Sequence, residues 1–180
     1  DYTLEELQKF DVSYIYAGQC EPQHIPTLRE YFEYVKDKDI ITNIELKTGI
    51  FEYPGIEQKV YDMIMEFDLK DKIIISSFNH FTIKRMKEIC PDMKCGLLTE
   101  SWLFDAGKYV KKADVECFHP IFRSLNEEAV AEIKEQGIEV NTWTVNEEDQ
   151  IADMINKKVD AIIGNFPDRI SKVRKEILGE

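Results

Sequence analysis

A glutamate and a lysine, Glu45 and Lys47, stand in the run Ile41-Thr42-Asn43-Ile44-Glu45-Leu46-Lys47. The alternation after Ile41 has the period of a strand, so Asn43, Glu45 and Lys47 share one face and Ile44 and Leu46 the other. A carboxylate able to hold a hard cation and an ammonium able to meet a phosphate then point the same way. With the apolar face packed under helices, both groups turn inward at the strand end where parallel α/β barrels place their chemistry. The same pair on a solvated edge strand is an ordinary ion pair, and the spacing alone leaves both readings open.

Other candidate groups fall at the ends of later apolar runs. His119, beside Pro120, is the histidine best placed to face a pocket; His24 lies in a loop and His80 opens a helix, and both read as structural. Phe78, Phe118 and Trp143 also stand at strand ends and could form an apolar wall, with Trp143 equally readable as top-layer core. Trp102 and Phe104 read as partly buried against a neighbouring helix, at the rim of the same end.

The elements that would position these groups repeat. Strand-like runs cover 41–47, 72–78, 94–99, 114–118, 138–145 and 160–164, and helical patterns cover 56–67, 81–89, 104–112, 126–136, 147–156 and 169–178. Ahead of the first strand, Thr3 and Glu6 form a capping box for a short helix, and Thr27 caps a helix with apolar positions 28, 31, 32 and 35. Gly137 sits where a helix C-terminal glycine belongs, just before a strand. Six strands, each followed by a helix, predict an α/β fold with a mainly parallel sheet. No G-x-G-x-x-G phosphate loop accompanies them, which disfavours a doubly wound nucleotide-binding sheet. About six of the eight βα units of a (β/α)8 barrel fit into 180 residues, since a whole barrel takes roughly 250.

Composition excludes several classes. An apolar fraction of 43% with 11% aromatics is that of a folded chain. The net charge of −12 argues against nucleic acid or an anionic membrane as partner, because both demand clustered positive charge. No run approaches a membrane span. The cysteines Cys20, Cys90, Cys95 and Cys117 form no C-x-x-C pair and read as free thiols of an intracellular protein. Asp1 is not a natural translation start, so the expectation is of a longer natural chain, cytoplasmic, with an extracellular setting left open.

Several segments, in order along the whole length, resemble the glycerophosphodiester phosphodiesterases, metal-dependent (β/α)8-barrel enzymes. They are Tyr2-Thr3-Leu4-Glu5-Glu6-Leu7, Ile25-Pro26-Thr27-Leu28, Asn43-Ile44-Glu45-Leu46-Lys47, Ser76-Ser77-Phe78-Asn79, Val140-Asn141-Thr142-Trp143-Thr144-Val145-Asn146 and Ala161-Ile162-Ile163-Gly164-Asn165-Phe166-Pro167. The resemblance implies a single barrel domain over 1–180, N-terminally incomplete, that hydrolyses substrates such as glycerophosphocholine or glycerophosphoethanolamine to glycerol 3-phosphate and an alcohol. It implies Glu45 as a ligand of a divalent cation, Mg2+ or Ca2+, and Lys47 as a phosphate contact. Trp143 would line the pocket mouth, with Phe78, Phe118 and His119 as further substrate contacts. The family's H-R-G, E-x-D and H-D motifs have no counterpart here; its catalytic histidines would precede Asp1, so this chain alone is expected to be inactive. A barrel fragment that binds a partner through its pocket or open edge is the alternative. A related barrel phosphodiesterase or phosphoinositide lyase is a third.

Overall fold

The computed structural model describes residues 2–179; Asp1 and Glu180, the two ends of the span read as one barrel, lie outside the described residues. Two short helices come first, α1 (Leu4–Leu7) and α2 (Leu28–Val35). α1 starts with the expected capping box of Thr3 and Glu6, and α2 starts at the expected cap Thr27, which Glu30 turns into a second capping box. Six strand and helix units follow: β1 (Thr42–Glu45), α3 (Ile56–Glu66), β2 (Ile73–Ser77), α4 (His80–Ile89), β3 (Cys95–Thr99), α5 (Ala106–Lys112), β4 (Cys117–Pro120), α6 (Glu127–Glu135), β5 (Glu139–Thr142), α7 (Glu148–Asn156), β6 (Ala161–Ile162) and α8 (Pro167–Leu178).

Every neighbouring strand pair is parallel, and the order across the sheet is the order along the chain. That topology is an arc of a (β/α) barrel, with β1 and β6 as its two edges. β2 and β3 are buried at every position, as strands covered on both faces should be.

Two sets of side chains alternate along the strands. Ile73, Ile75, Leu97, Phe118 and Val140 join helix residues such as Ile64, Met86, Val110, Ile133 and Ile151 in one apolar cluster. The register partners Glu45, Ser76, Gly96, Cys117 and Glu139 form a row on the opposite, inner face.

Gly96 is required there. A Cβ at this position would come within 2.5 Å of His119 Nε2 and 2.7 Å of its Cε1, so Gly96→Ala must push a buried imidazole off its seat. We expect a loss of about 1–3 kcal/mol in urea unfolding, the usual cost of forcing extra volume into a packed interior; unchanged stability would mean that the ring swings away freely.

Three strands differ most from the sequence reading, the run 138–145 shortening to Glu139–Thr142. The run 114–118 starts too early, because Asp114 takes a left-handed conformation (φ 54°) to leave α5, and pairing begins only at Cys117. The run 160–164 shortens to two residues at the sheet edge, where Ile163 N–H still donates to Thr142 O at 2.8 Å.

Candidate functional site

The loops leaving the C-terminal ends of β1 and β2 enclose a groove of about 300 Å3 lined by Glu45, Leu46, Lys47, Thr48, Gly49, Ile50, Phe51, Ser77 and Phe78. Glu45 and Lys47 thus reach the same groove, and Leu46 between them is buried in the apolar cluster, as strand alternation requires. The ion-pair alternative does not hold: among the described residues, neither side chain has a salt-bridge or hydrogen-bond partner. Glu45 is partly buried and Lys47 exposed.

The floor of the groove is fixed by hydrogen bonds from β2 and α4. Ser77 Oγ donates to Leu46 O at 2.6 Å, and Asn79 Nδ2 donates to Thr48 O at 3.3 Å. Asn79 also caps α4, its side chain accepting from Phe81 N–H. The buried Thr48 and Thr82 hydroxyls meet at 2.6 Å. Arg85 then bonds both Thr82 Oγ1, at 3.0 Å, and the buried Glu57 carboxylate, with Nε to Oε1 at 2.8 Å. Arg85→Ala strands the Glu57 charge in a buried setting. Its partly exposed partner tempers the cost to about 2–3 kcal/mol, measurable as a lowered Tm, and a variant as stable as the parent would show Glu57 already neutral or hydrated.

Trp143 lies behind the groove rather than in its lining. Its Nε1–H donates to His119 O at 2.8 Å, and its ring meets Phe78 edge-to-face with centroids 5.3 Å apart. Phe78 is thereby held against the groove wall. Phe118, expected in that wall, is corrected to the other side: it is 2% exposed, inside the cluster beneath the helices. Strand alternation explains this, since Cys117 and His119 take the inner face and leave Phe118 the outer one.

His119 also differs from the expectation of a substrate contact. It points to the inner face but is only 1% exposed, its ring packed over Gly96 and its Nε2 accepting from Asn141 Nδ2 at 3.1 Å. Burial pushes its pKa down to about 4, so the ring is neutral at physiological pH. His80 is the first residue of α4 and is held by Tyr109 Oη at 2.7 Å and Leu98 O at 2.9 Å; His24 sits near Glu30 on the surface. Cys20 is free and exposed, whereas Cys90, Cys95 and Cys117 are free and buried. Burial raises the pKa of both Cys95 and Cys117 to about 12, which leaves them unreactive.

Ile50, Phe51 and Ser77 are groove residues that the sequence reading missed. Two large apolar residues in a loop directly after a polar strand end were the available signal for the first two. Ser77 is the last residue of a buried strand, and its place in the family-resembling segment Ser76-Ser77-Phe78-Asn79 was the signal for it.

Residues 1–169 match the glycerophosphoryl diester phosphodiesterase family. The chain belongs to that family. It is 37% identical over 176 residues to a glycerophosphodiester phosphodiesterase of Caldanaerobacter subterraneus subsp. tengcongensis, an alignment covering 97% of this chain and 72% of that protein. With a glycerophosphodiester phosphodiesterase of Bacillus altitudinis the identity is 33%, over 98% of this chain and 74% of the relative. Among solved structures, a glycerophosphodiester phosphodiesterase from Parabacteroides distasonis superposes with a TM-score of 0.86 at 22% identity, covering 99% of this chain and 73% of that one. A phosphodiesterase of Oleispira antarctica, solved in complex with the product sn-glycerol-3-phosphate, gives 0.79 at 24% identity over 95% of this chain and 70% of its own. These likenesses show the fold of the family's barrels, and the chain spans roughly seven-tenths of each relative. No described helix is long and apolar enough to cross a membrane.

Proposed function

We propose that this chain carries the phosphate-binding side of a glycerophosphodiester phosphodiesterase site, one that forms glycerol 3-phosphate and an alcohol. The observation that carries the reading is the shared groove of Glu45 and Lys47, both without partners among the described residues, at the C-terminal end of a strand in a barrel of this family. An unpaired lysine there supplies a mobile point charge for a phosphate. Phe78, braced by Trp143, offers a flat apolar wall for the alcohol moiety, and a choline group against it gains about 0.5–2 kcal/mol of cation–π attraction.

A Mg2+ or Ca2+ ion fits Glu45 as one hard oxygen ligand. Hard cations want several such ligands, and no group of three or more His, Cys, Asp or Glu side chains comes together among the described residues. Glu45 is therefore read as one member of a fuller set. When bound, the cation offsets the negative charge that grows on the phosphoryl oxygens.

Proton transfer to the leaving alcohol needs a group titrating near neutrality within reach of it. None of the three histidines meets that need: His119 is sealed and neutral, His80 is engaged at both nitrogens, and His24 lies outside the groove lining. We therefore read the chain, as one barrel domain, as inactive by itself. The test is choline release from glycerophosphocholine with Mg2+, by the 180-residue chain and by a longer protein that carries upstream residues. The expected outcome is no release by the former and metal-dependent release by the latter. A longer protein that hydrolyses no glycerophosphodiester would overturn the reading in favour of a binding module.

A further inference from the structure

Three buried side-chain atoms have no hydrogen-bond partner among the described residues: Ser76 Oγ, His119 Nδ1 and Glu132 Oε1. Glu132 belongs to α6, and its other carboxylate oxygen accepts from Gly107 N–H. Ser76 and His119 instead share the inner face of the sheet, at 0% and 1% exposure. Buried polar groups are nearly always paired, so two orphans on one face need a physical account.

Their hydrogen-bonding roles are complementary. Nε2 of the neutral His119 ring accepts from Asn141 Nδ2, which leaves the ring proton on Nδ1 as a donor without an acceptor. A serine hydroxyl both accepts and donates. Beside Ser76 stands the Glu45 carboxylate, an acceptor with no donor among the described residues. A donor, a group that does both and an acceptor complete one another. The register sets them in that order: Ser76 pairs with Glu45 on one side and with Gly96 on the other, and the His119 ring packs over Gly96. Neighbouring strands lie about 4.8 Å apart, which brings a serine and a glutamate on the same face within reach of each other. Glycine at 96 is what lets an imidazole from β4 lie across β3.

We infer that Asn141, His119 and Ser76 form a buried chain that ends on Glu45, with His119 Nδ1–H donating to Ser76 Oγ and Ser76 Oγ–H donating to the Glu45 carboxylate. The inference rests on the reading of Glu45 as a cation ligand. Ser76 and His119 are then positioning residues: neither lines the groove, so both act on a bound cation only by orienting Glu45. A hydrogen bond to a ligating carboxylate fixes the direction of its oxygens, and losing such a partner typically costs about ten- to a hundredfold in metal affinity.

The test uses a longer protein that carries upstream residues, as the parent, Ser76→Ala, Glu45→Gln and the double variant. Isothermal titration gives the Ca2+ affinity of each, and melting without added metal gives Tm. Ser76→Ala is expected to weaken Ca2+ binding by about tenfold while Tm stays within about 3 °C of the parent. Most of that loss is expected to vanish on the Glu45→Gln background, because the two residues act as one unit. In proton–nitrogen correlation spectra, the His119 Nδ1–H signal of the parent is expected to move in Ser76→Ala. Ca2+ affinity unchanged in Ser76→Ala but lowered in Glu45→Gln would overturn the chain and leave Glu45 a ligand. Ca2+ affinity unchanged in Glu45→Gln, or no binding by the parent, would remove the cation reading of Glu45 and the inference with it. An equal loss on both backgrounds, a Ser76→Ala protein that melts well below the parent, or an Nδ1–H signal indifferent to Ser76 would each overturn the chain as well.

Discussion

Glu45→Gln, made in a longer protein that turns over glycerophosphocholine, is expected to lower kcat/KM by about 100-fold or more at fixed Mg2+, with partial recovery as Mg2+ is raised. The substitution keeps shape and removes charge. Glu45 has no hydrogen-bond or salt-bridge partner among the described residues and lines the groove beside Lys47, so nothing structural depends on its charge and Tm is expected to stay within about 1 °C of the parent, in keeping with the small effect of substitutions that break no buried contact. A cation that loses one of its carboxylates binds more weakly, and a weaker site is refilled by mass action. Unchanged turnover across the Mg2+ range would remove Glu45 from any metal site, and a fall that no amount of Mg2+ relieves would give it a different role.

The second large effect is acid lability of the barrel interior. His119 is buried over Gly96 with its pKa pushed down to about 4 from an ordinary 6.5, chiefly by burial. A base whose folded pKa lies below its unfolded one takes up its proton more readily when unfolded. Between pH 6.5 and 4 the unfolded chain therefore binds more protons, and stability falls as pH falls through that window. The full loss amounts to about 3 kcal/mol, reached below pH 4. Urea unfolding at pH 7, 5.5 and 4.5, on the parent and on His119→Gln, measures it. The parent is expected to lose stability faster than the variant, with the difference between the two slopes confined to this window. Parallel slopes would mean that His119 is hydrated and titrates normally.

Much of the architecture was legible in the chain because it repeats. Six apolar runs separated by amphipathic helices specify βα units whatever their precise ends, and the capping box at Thr3 and the cap at Thr27 mark two helix starts to the residue. The ends themselves depend on backbone conformations that composition does not announce. Asp114 adopting φ 54° delays β4 by three residues from the expected start.

The site was legible where one strand dictates it. The alternation of Glu45, Leu46 and Lys47 correctly brought the two polar groups to one groove. It was less legible where it depends on alternation across neighbouring strands. Placing Phe118 needs the phase of β4, and the late start of β4 gave no sign of it in the sequence. Knowing that His119 is sealed needs Gly96 on β3 and Asn141 on β5, more than twenty residues away in each direction. The apolar loop residues Ile50 and Phe51 lack any periodicity, so only the fold shows that they share the groove.

The most direct test of the central claim is the affinity of a longer protein that carries upstream residues for sn-glycerol 3-phosphate, with and without Ca2+, in the parent and in Lys47→Met. If Glu45 and Lys47 form the cation and phosphate side of the site, Ca2+ tightens binding to the parent, and Lys47→Met weakens it by about tenfold, equivalent to about 1.4 kcal/mol, at unchanged Tm. Binding indifferent to both Ca2+ and Lys47, or a Lys47→Met chain that melts well below the parent, would contradict the account and return the pair to a structural role.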